Sequence, residues 1–188
     1  KPLVNLKALQ IAPRARLEQQ LKSCCKLFNN NTEALDAGPD SIVLRKENKV
    51  IKIYPTVNVK QVLQYKQITN SIASHDLKIN INETTYKIFV VPIKDIFKTK
   101  CVISISEYIP GKNYHQFLLD CAACGIMDYI DLSTILSNLF TEYFTSKMNR
   151  DCPEIFLAPR NFKVNNEKKI ISITDLANNI PNFLKDYS

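Results

Sequence analysis

Between Phe156 and Asn179 the chain reads FLAPRNFKVNNEKKIISITDLANN, and few local structures accommodate that order of residues. Phe162 to Val164 is a short apolar run, Asn165 and Asn166 are turn formers, and Ile170 to Ile173 is a second β-prone run. The reading is a tight hairpin. Asn161 then stands just before its first strand and Asp175 just after its second. An amide oxygen and a carboxylate on either side of such a hairpin can converge on one hard cation, because Mg2+ prefers oxygen ligands and takes few of them from protein.

Upstream, the apolar spacing of Leu17, Leu21, Cys24, Leu27 and Phe28 predicts an amphipathic helix over Arg14–Phe28, ended by three asparagines. Ser41 to Arg45 and Val50 to Tyr54 are β-prone runs joined by Lys46-Glu47-Asn48, a hairpin signal closed by Pro55. Lys52 lies inside the second run. Alternation turns it away from Ile51 and Ile53, toward a cleft or toward water. Thr56 to Ser74 suits a helix and contains no acid. Thr85 to Val91 and Lys100 to Ser106 read as a strand pair, and Pro110-Gly111 breaks the chain after it. Helices are expected over Tyr114–Cys124 and Asp131–Asn149, the second with a wide apolar face.

The length of 188 residues, 45% of them hydrophobic and 23% charged, suits one globular domain or one small domain with an arm. No run approaches the roughly 18 to 20 apolar residues of a membrane span. No charged-then-apolar leader is present, and a soluble protein is expected. The chain opens on Lys1 rather than Met, which leaves room for an upstream piece. Much of the net charge of +7 is concentrated in the first 26 residues, where Lys1, Lys7, Arg14, Arg16, Lys22 and Lys26 face one acid, Glu18. Such an arm is either a solvated face or a contact for phosphates, anionic membrane or an acidic partner.

The six cysteines do not read as a disulfide framework, and a reduced compartment is expected. Cys121 and Cys124 form CAAC, but with no second CxxC and only His75 and His115 as further ligands, buried helical cysteines are the better reading than zinc. The Asn-x-Thr acceptors at Asn30 and Asn82 are no more than an Asn-rich chain supplies by chance.

The element order, and four motifs within it, resemble the protein kinase fold. Val50-Ile51-Lys52-Ile53 resembles the strand whose lysine binds nucleotide phosphates. Ile105-Ser106-Glu107-Tyr108-Ile109-Pro110-Gly111 is similar to the kinase hinge, where backbone groups near Glu107 and Ile109 hold adenine. Leu157-Ala158-Pro159-Arg160-Asn161-Phe162-Lys163-Val164 resembles the catalytic loop, with Asn161 as a metal ligand. Asp175-Leu176-Ala177 stands where DFG belongs, with Asp175 as the main Mg2+ ligand. The match covers about residues 33 to 180. It implies an α+β fold with an antiparallel β N-lobe (about 33–106), a hinge (107–111) and a reduced, helical C-lobe (112–188), preceded by the basic arm (1–32).

The departures from the family decide what the resemblance implies for activity. Phe156 occupies the position of the catalytic Asp, with Glu154-Ile155 in place of His-Arg. The helix after Lys52 offers Gln61, Gln64 or Gln67 but no glutamate to pair with the lysine. The glycine-rich loop is reduced to Ala37-Gly38-Pro39-Asp40, and no activation segment follows Asp175.

The expected function is that of a pseudokinase-like binding or regulatory module for a protein partner, such as a true kinase, retaining ATP and Mg2+ binding. A minimal phosphotransferase or nucleotidyltransferase using Asp151 or Glu154 is the alternative. A nucleic-acid module acting through the basic arm is the third, weakened by the absence of any aromatic before Phe28. A cytoplasmic setting, or a host cytosol for a secreted effector, goes with these readings.

Overall fold

The computed structural model describes residues 32–37, 40–81, 83–113, 129–158, 161–185 and 187. The arm with its helix over Arg14–Phe28, Gly38 and Pro39, Asn82, the Tyr114–Cys124 helix with His115 and the CAAC pair, and Pro159-Arg160 lie outside these residues. The chain is α+β. Its elements are β1 (Thr32–Ala37), β2 (Ile42–Lys46), β3 (Lys49–Tyr54), α1 (Val59–Ala73), β4 (Leu77–Ile81), β5 (Thr84–Val90), β6 (Ile93–Lys98) and β7 (Val102–Glu107). They continue with β8 (Lys112–Asn113), α2 (Tyr129–Lys147), β9 (Phe162–Asn165), β10 (Ile170–Ile173) and α3 (Ile180–Lys185). Among the described residues, no helix is long and apolar enough to cross a membrane.

The chain divides into two compact units. The first holds the described residues up to Ile68, with Pro92–Tyr108 and Asn178–Pro181. Its sheet runs β1-β2-β3-β7-β6, antiparallel throughout. Cross-strand register sets Ile42, Ile53 and Ile103 in one row and Leu44, Ile51 and Ile105 in the next, so one face is a continuous branched-aliphatic surface. Most of these side chains are fully buried. The helix α1 begins with a capping box: Asn58 Oδ1 accepts from Gln61 N at 2.9 Å, and Asn58 N donates to Gln61 Oε1 at 3.4 Å. The buried positions Val62, Tyr65, Ile68 and Ile72 then follow at helical spacing.

The second unit comprises the described residues of Thr69–Val91, Ile109–Ala177 and Asn182–Ser188. Its sheet runs β4-β5-β10-β9-β8, with every pair antiparallel except β5 and β10, which are parallel. On one face Ile79, Ile88, Val90, Ile171 and Val164 are buried. Leu132, Leu136, Phe140, Tyr143 and Phe144 form the buried stripe of α2, which packs against β4. Gly111 follows the Pro110 break with φ +155°, and a Cβ there would come within 3.1 Å of the Val164 carbonyl oxygen. The glycine therefore permits both the turn and the close approach of β8 to β9.

The two expected hairpins form at the predicted places. The expected pairing of Thr85–Val91 with Lys100–Ser106 does not. Each of those runs instead pairs with a strand next to it in sequence, β5 with β4 and β7 with β6. The edge strand β6, IKDIFK, buries only Ile93 fully, so it lacks the apolar alternation that marks a strand. LKINI of β4 has that alternation, with Leu77, Ile79 and Ile81 buried and Lys78 and Asn80 exposed. With three glycines in the chain, the hairpin turns place Glu47 (φ 56°), Glu83 (φ 65°) and Lys169 (φ 53°) in the left-handed region.

Candidate functional site

The hairpin β9–β10 does to Asn161 and Asp175 what its sequence requires. Phe162 and Ile173 are its last paired residues. Beyond them the Asn161 carbonyl accepts from Thr174 N at 2.8 Å and from Thr174 Oγ1 at 3.2 Å. Asn161 thus faces Thr174 across the open end, with Asp175 one residue further on. Asn161 is buried and Asp175 half-buried.

The backbone of Phe156 bonds to Asn161 and to Leu176. Its N–H donates to the Leu176 carbonyl at 2.9 Å, and its carbonyl accepts from Asn161 Nδ2 at 3.4 Å. Donation through Nδ2 turns Oδ1, the amide atom able to ligate a hard cation, to the opposite side of the amide. Asp175 Oδ1 accepts from Ala177 N at 3.4 Å, a long contact. The donor set is oxygen only and fits Mg2+ in kind. The backbone of Phe156 thus spans from Asn161 to Leu176, while its side chain carries no proton acceptor.

In the other unit, Lys52 sits in the middle of the central strand β3 and is buried, 9% exposed. Alternation turns it away from Ile51 and Ile53, as the sequence requires. Register places it between Val43 on β2 and Ser104 on β7, on one face. The Ser104 hydroxyl is 1% exposed and has no hydrogen-bond partner among the described residues. Val43, Val50 and Ser106 on that face are half-buried, so the face around the lysine is not fully covered. Sequence reasoning missed Ser104. Its signal was the alternation VISISE, which puts Ser104 and Ser106 on the side opposite the isoleucines.

Glu107 ends β7, opposite Lys49, and is exposed; Ile109 is half-buried. Between them Tyr108 N donates to the Asn48 carbonyl at 2.7 Å, and the Arg45 guanidinium lies 3.6 Å over the Tyr108 ring. The hinge-like segment is therefore anchored to the β2–β3 turn. Asp151 and Glu154, the alternative acids, are both exposed. Gln61 is engaged in the helix cap.

Asp40, the last residue of the reduced glycine-rich loop, is buried, and its Oδ2 accepts at 2.7 Å from the N–H of Ile180, the first residue of α3. The carboxylate is committed to a helix N-terminus, where backbone N–H groups favour an anion.

Cys152, four residues before Phe156, donates Sγ–H to the Pro153 carbonyl at 3.3 Å. Burial pushes its thiol up to about 11, against a smaller opposing effect of a hydrogen bond with Thr141. A thiol shifted in that direction is less readily ionised to the nucleophilic thiolate. Burial likewise raises Tyr187, with Arg150 acting the other way: its Nη1 donates to the Tyr187 carbonyl at 2.7 Å, and its guanidinium stacks at 3.9 Å on the ring. His75, the one zinc-ligand candidate described, donates Nδ1–H to the Ser71 carbonyl at 2.8 Å at the end of α1. Among the described residues no three His, Cys, Asp or Glu side chains gather as a metal site.

No family model matches the chain, and no curated protein matches it. A solved structure titled "PpkA-294 apo form" is similar at 12% identity and a TM-score of 0.45, over 84% of this chain. The chain spans 60% of that structure's length. A likeness of that size does not establish a shared family.

Proposed function

We propose that this protein is a kinase-like pseudoenzyme that binds ATP with Mg2+ and serves as a binding or regulatory module for a protein partner. The observation that supports the reading is the open end of the β9–β10 hairpin, where Asn161 bonds to Thr174, the residue before Asp175, and the Phe156 backbone bonds to Asn161 and Leu176. Asn161 Oδ1 and the Asp175 carboxylate hold the cation. Bound there, Mg2+ would neutralise phosphate charge. By resemblance to the kinase motifs, Lys52 is the candidate phosphate ligand, and the backbone of Glu107 and Ile109 is the candidate adenine contact.

With Phe at position 156 no side chain there takes the proton of an incoming hydroxyl, so the nucleotide acts as a stabilising ligand and not as a substrate. A protein partner, a true kinase among them, would read the nucleotide-stabilised form.

The test is a thermal shift with ATP and Mg2+. Nucleotide at a hundred times its Kd stabilises by about 2.7 kcal/mol, which for a chain of this size is a rise of roughly 5–10 °C. The shift is expected in the native protein with Mg2+, and is lost with EDTA, in Asp175→Ala and in Asn161→Ala. Absence of any shift in the native protein would remove the nucleotide site. Incorporation of label from ATP into protein, abolished by Lys52→Ala, would replace the pseudoenzyme with a minimal transferase.

A further inference from the structure

We propose that the outward face of the second unit's sheet binds single-stranded nucleic acid through Lys78, Lys87 and Lys163. The five strands of that sheet contain four lysines and no aspartate or glutamate, whereas the strands of the other sheet mix Glu33, Asp36, Asp95 and Glu107 with their basic residues. Register sorts the two faces. Lys78 stands directly opposite Lys87, whose row continues through Ile170 to Asn165. The next row runs from Phe89 through Ser172 to Lys163. Lys78, Asn80, Thr85 and Lys87 are exposed, Phe89 and Lys163 are half-buried, and Ser172 is buried, so the open area is widest over β4 and β5.

Like charges directly opposite across a ladder are destabilising, and Lys78 against Lys87 is such a pair. The nearby acids lie outside the strands. Asp76 meets Lys78 at 3.2 Å, both well exposed, and Glu83 and Glu167 are in turns. Among the described residues no acid on the face itself neutralises Lys87 or Lys163. An anionic partner would.

The chemistry of the partner follows from what the face lacks. The exposed large hydrophobic residues of the described chain, Leu35, Leu63 and Phe97, all belong to the other unit. A protein interface core or an amphipathic membrane contact draws on such anchors, while nucleic acid is held mainly by phosphate charge. From β4 to β9 the lysines span three strand spacings, about 14 Å. Phe89, in the row beside Lys87, offers a ring on which a base can stack. Lysine, a point charge without a planar fork, makes the contact tolerant of sequence.

The experiment is fluorescence anisotropy with labelled oligo-U and oligo-dT across 50 to 200 mM salt. It uses the full chain with the arm residues Lys1, Lys7, Arg14, Arg16, Lys22 and Lys26 changed to Gln, so that the arm does not supply the signal. Three phosphate contacts on a single strand give a log–log salt slope of about −2, and affinity roughly twenty-fold weaker at 200 than at 50 mM. Adding Lys78→Gln, Lys87→Gln and Lys163→Gln is expected to abolish the slope without lowering the unfolding midpoint. Each single change lowers the slope by about 0.7. No binding by the arm-neutral protein, binding unaffected by the triple change, or binding to phosphatidylserine vesicles in preference to oligonucleotides would overturn the proposal.

Discussion

Asp40→Ala removes a buried carboxylate from the N-terminus of α3. In the folded protein Asp40 Oδ2 lies 2.7 Å from Ile180 N, and both residues are almost fully buried. Alanine leaves that N–H without its acceptor and without a route to water. A hydrogen bond to a charged group contributes about 1.5–3 kcal/mol. An anion at a partly buried helix N-terminus contributes up to about 2 kcal/mol, an overlapping effect and a smaller one for a helix of only one to two turns. The expected loss is therefore about 2–3 kcal/mol. Asp40→Asn keeps an acceptor oxygen but no charge, and neutral hydrogen bonds are roughly half as strong, so about half of the loss is expected. Urea denaturation at neutral pH measures both variants, with the midpoint falling and the slope unchanged. A loss below about 0.5 kcal/mol in Asp40→Ala would place the substitution among ordinary surface changes and refute the reasoning. Equal losses in the two variants would refute the part assigned to the retained acceptor.

Two further outcomes follow from buried polar groups. Ser104→Ala deletes a hydroxyl that has no partner among the described residues, so the nucleotide-free protein is expected to gain about 1 kcal/mol while its ATP-induced thermal shift shrinks; a loss of stability on urea denaturation would show that the hydroxyl is paired. Cys152 titrates near 9.0 when unfolded and near 11 when folded. Between those values the unfolded chain has released a proton that the folded chain still holds, so stability falls as pH rises through that window and is unaffected below it. The denaturation midpoint of the native protein should therefore drop more steeply above pH 9 than that of Cys152→Ser, and parallel curves would refute the assignment.

The hairpins at Ser41–Tyr54 and Phe162–Ile173 were legible because their apolar runs are bounded by Asn, Glu and Pro in short turns. So were α1 and α2, whose apolar positions recur at helical spacing. Strand β6 was not legible, since an edge strand paired on one side needs little apolar surface and IKDIFK shows little. The parallel pairing of β5 with β10 joins residues about 80 apart in sequence, and no local signal encodes a partner at that range. Asp40 belongs with these. In sequence it sits at the end of a degenerate loop, and only the fold brings Ile180 N to it.

For the candidate site the division is similar. Local sequence determined that Asn161 and Asp175 flank one hairpin, that Lys52 turns away from Ile51 and Ile53, and that Phe156 offers no base, because turn chemistry and the two-residue period of a strand act over a few residues. Tertiary structure decided which atoms are committed elsewhere. It turned the Asn161 amide by a bond to the Phe156 carbonyl, spent Asp40 on a helix end, and set Ser104 beside Lys52 without a partner. Those outcomes depend on desolvation and on register between distant segments, which are properties of the packed chain and not of any stretch of it.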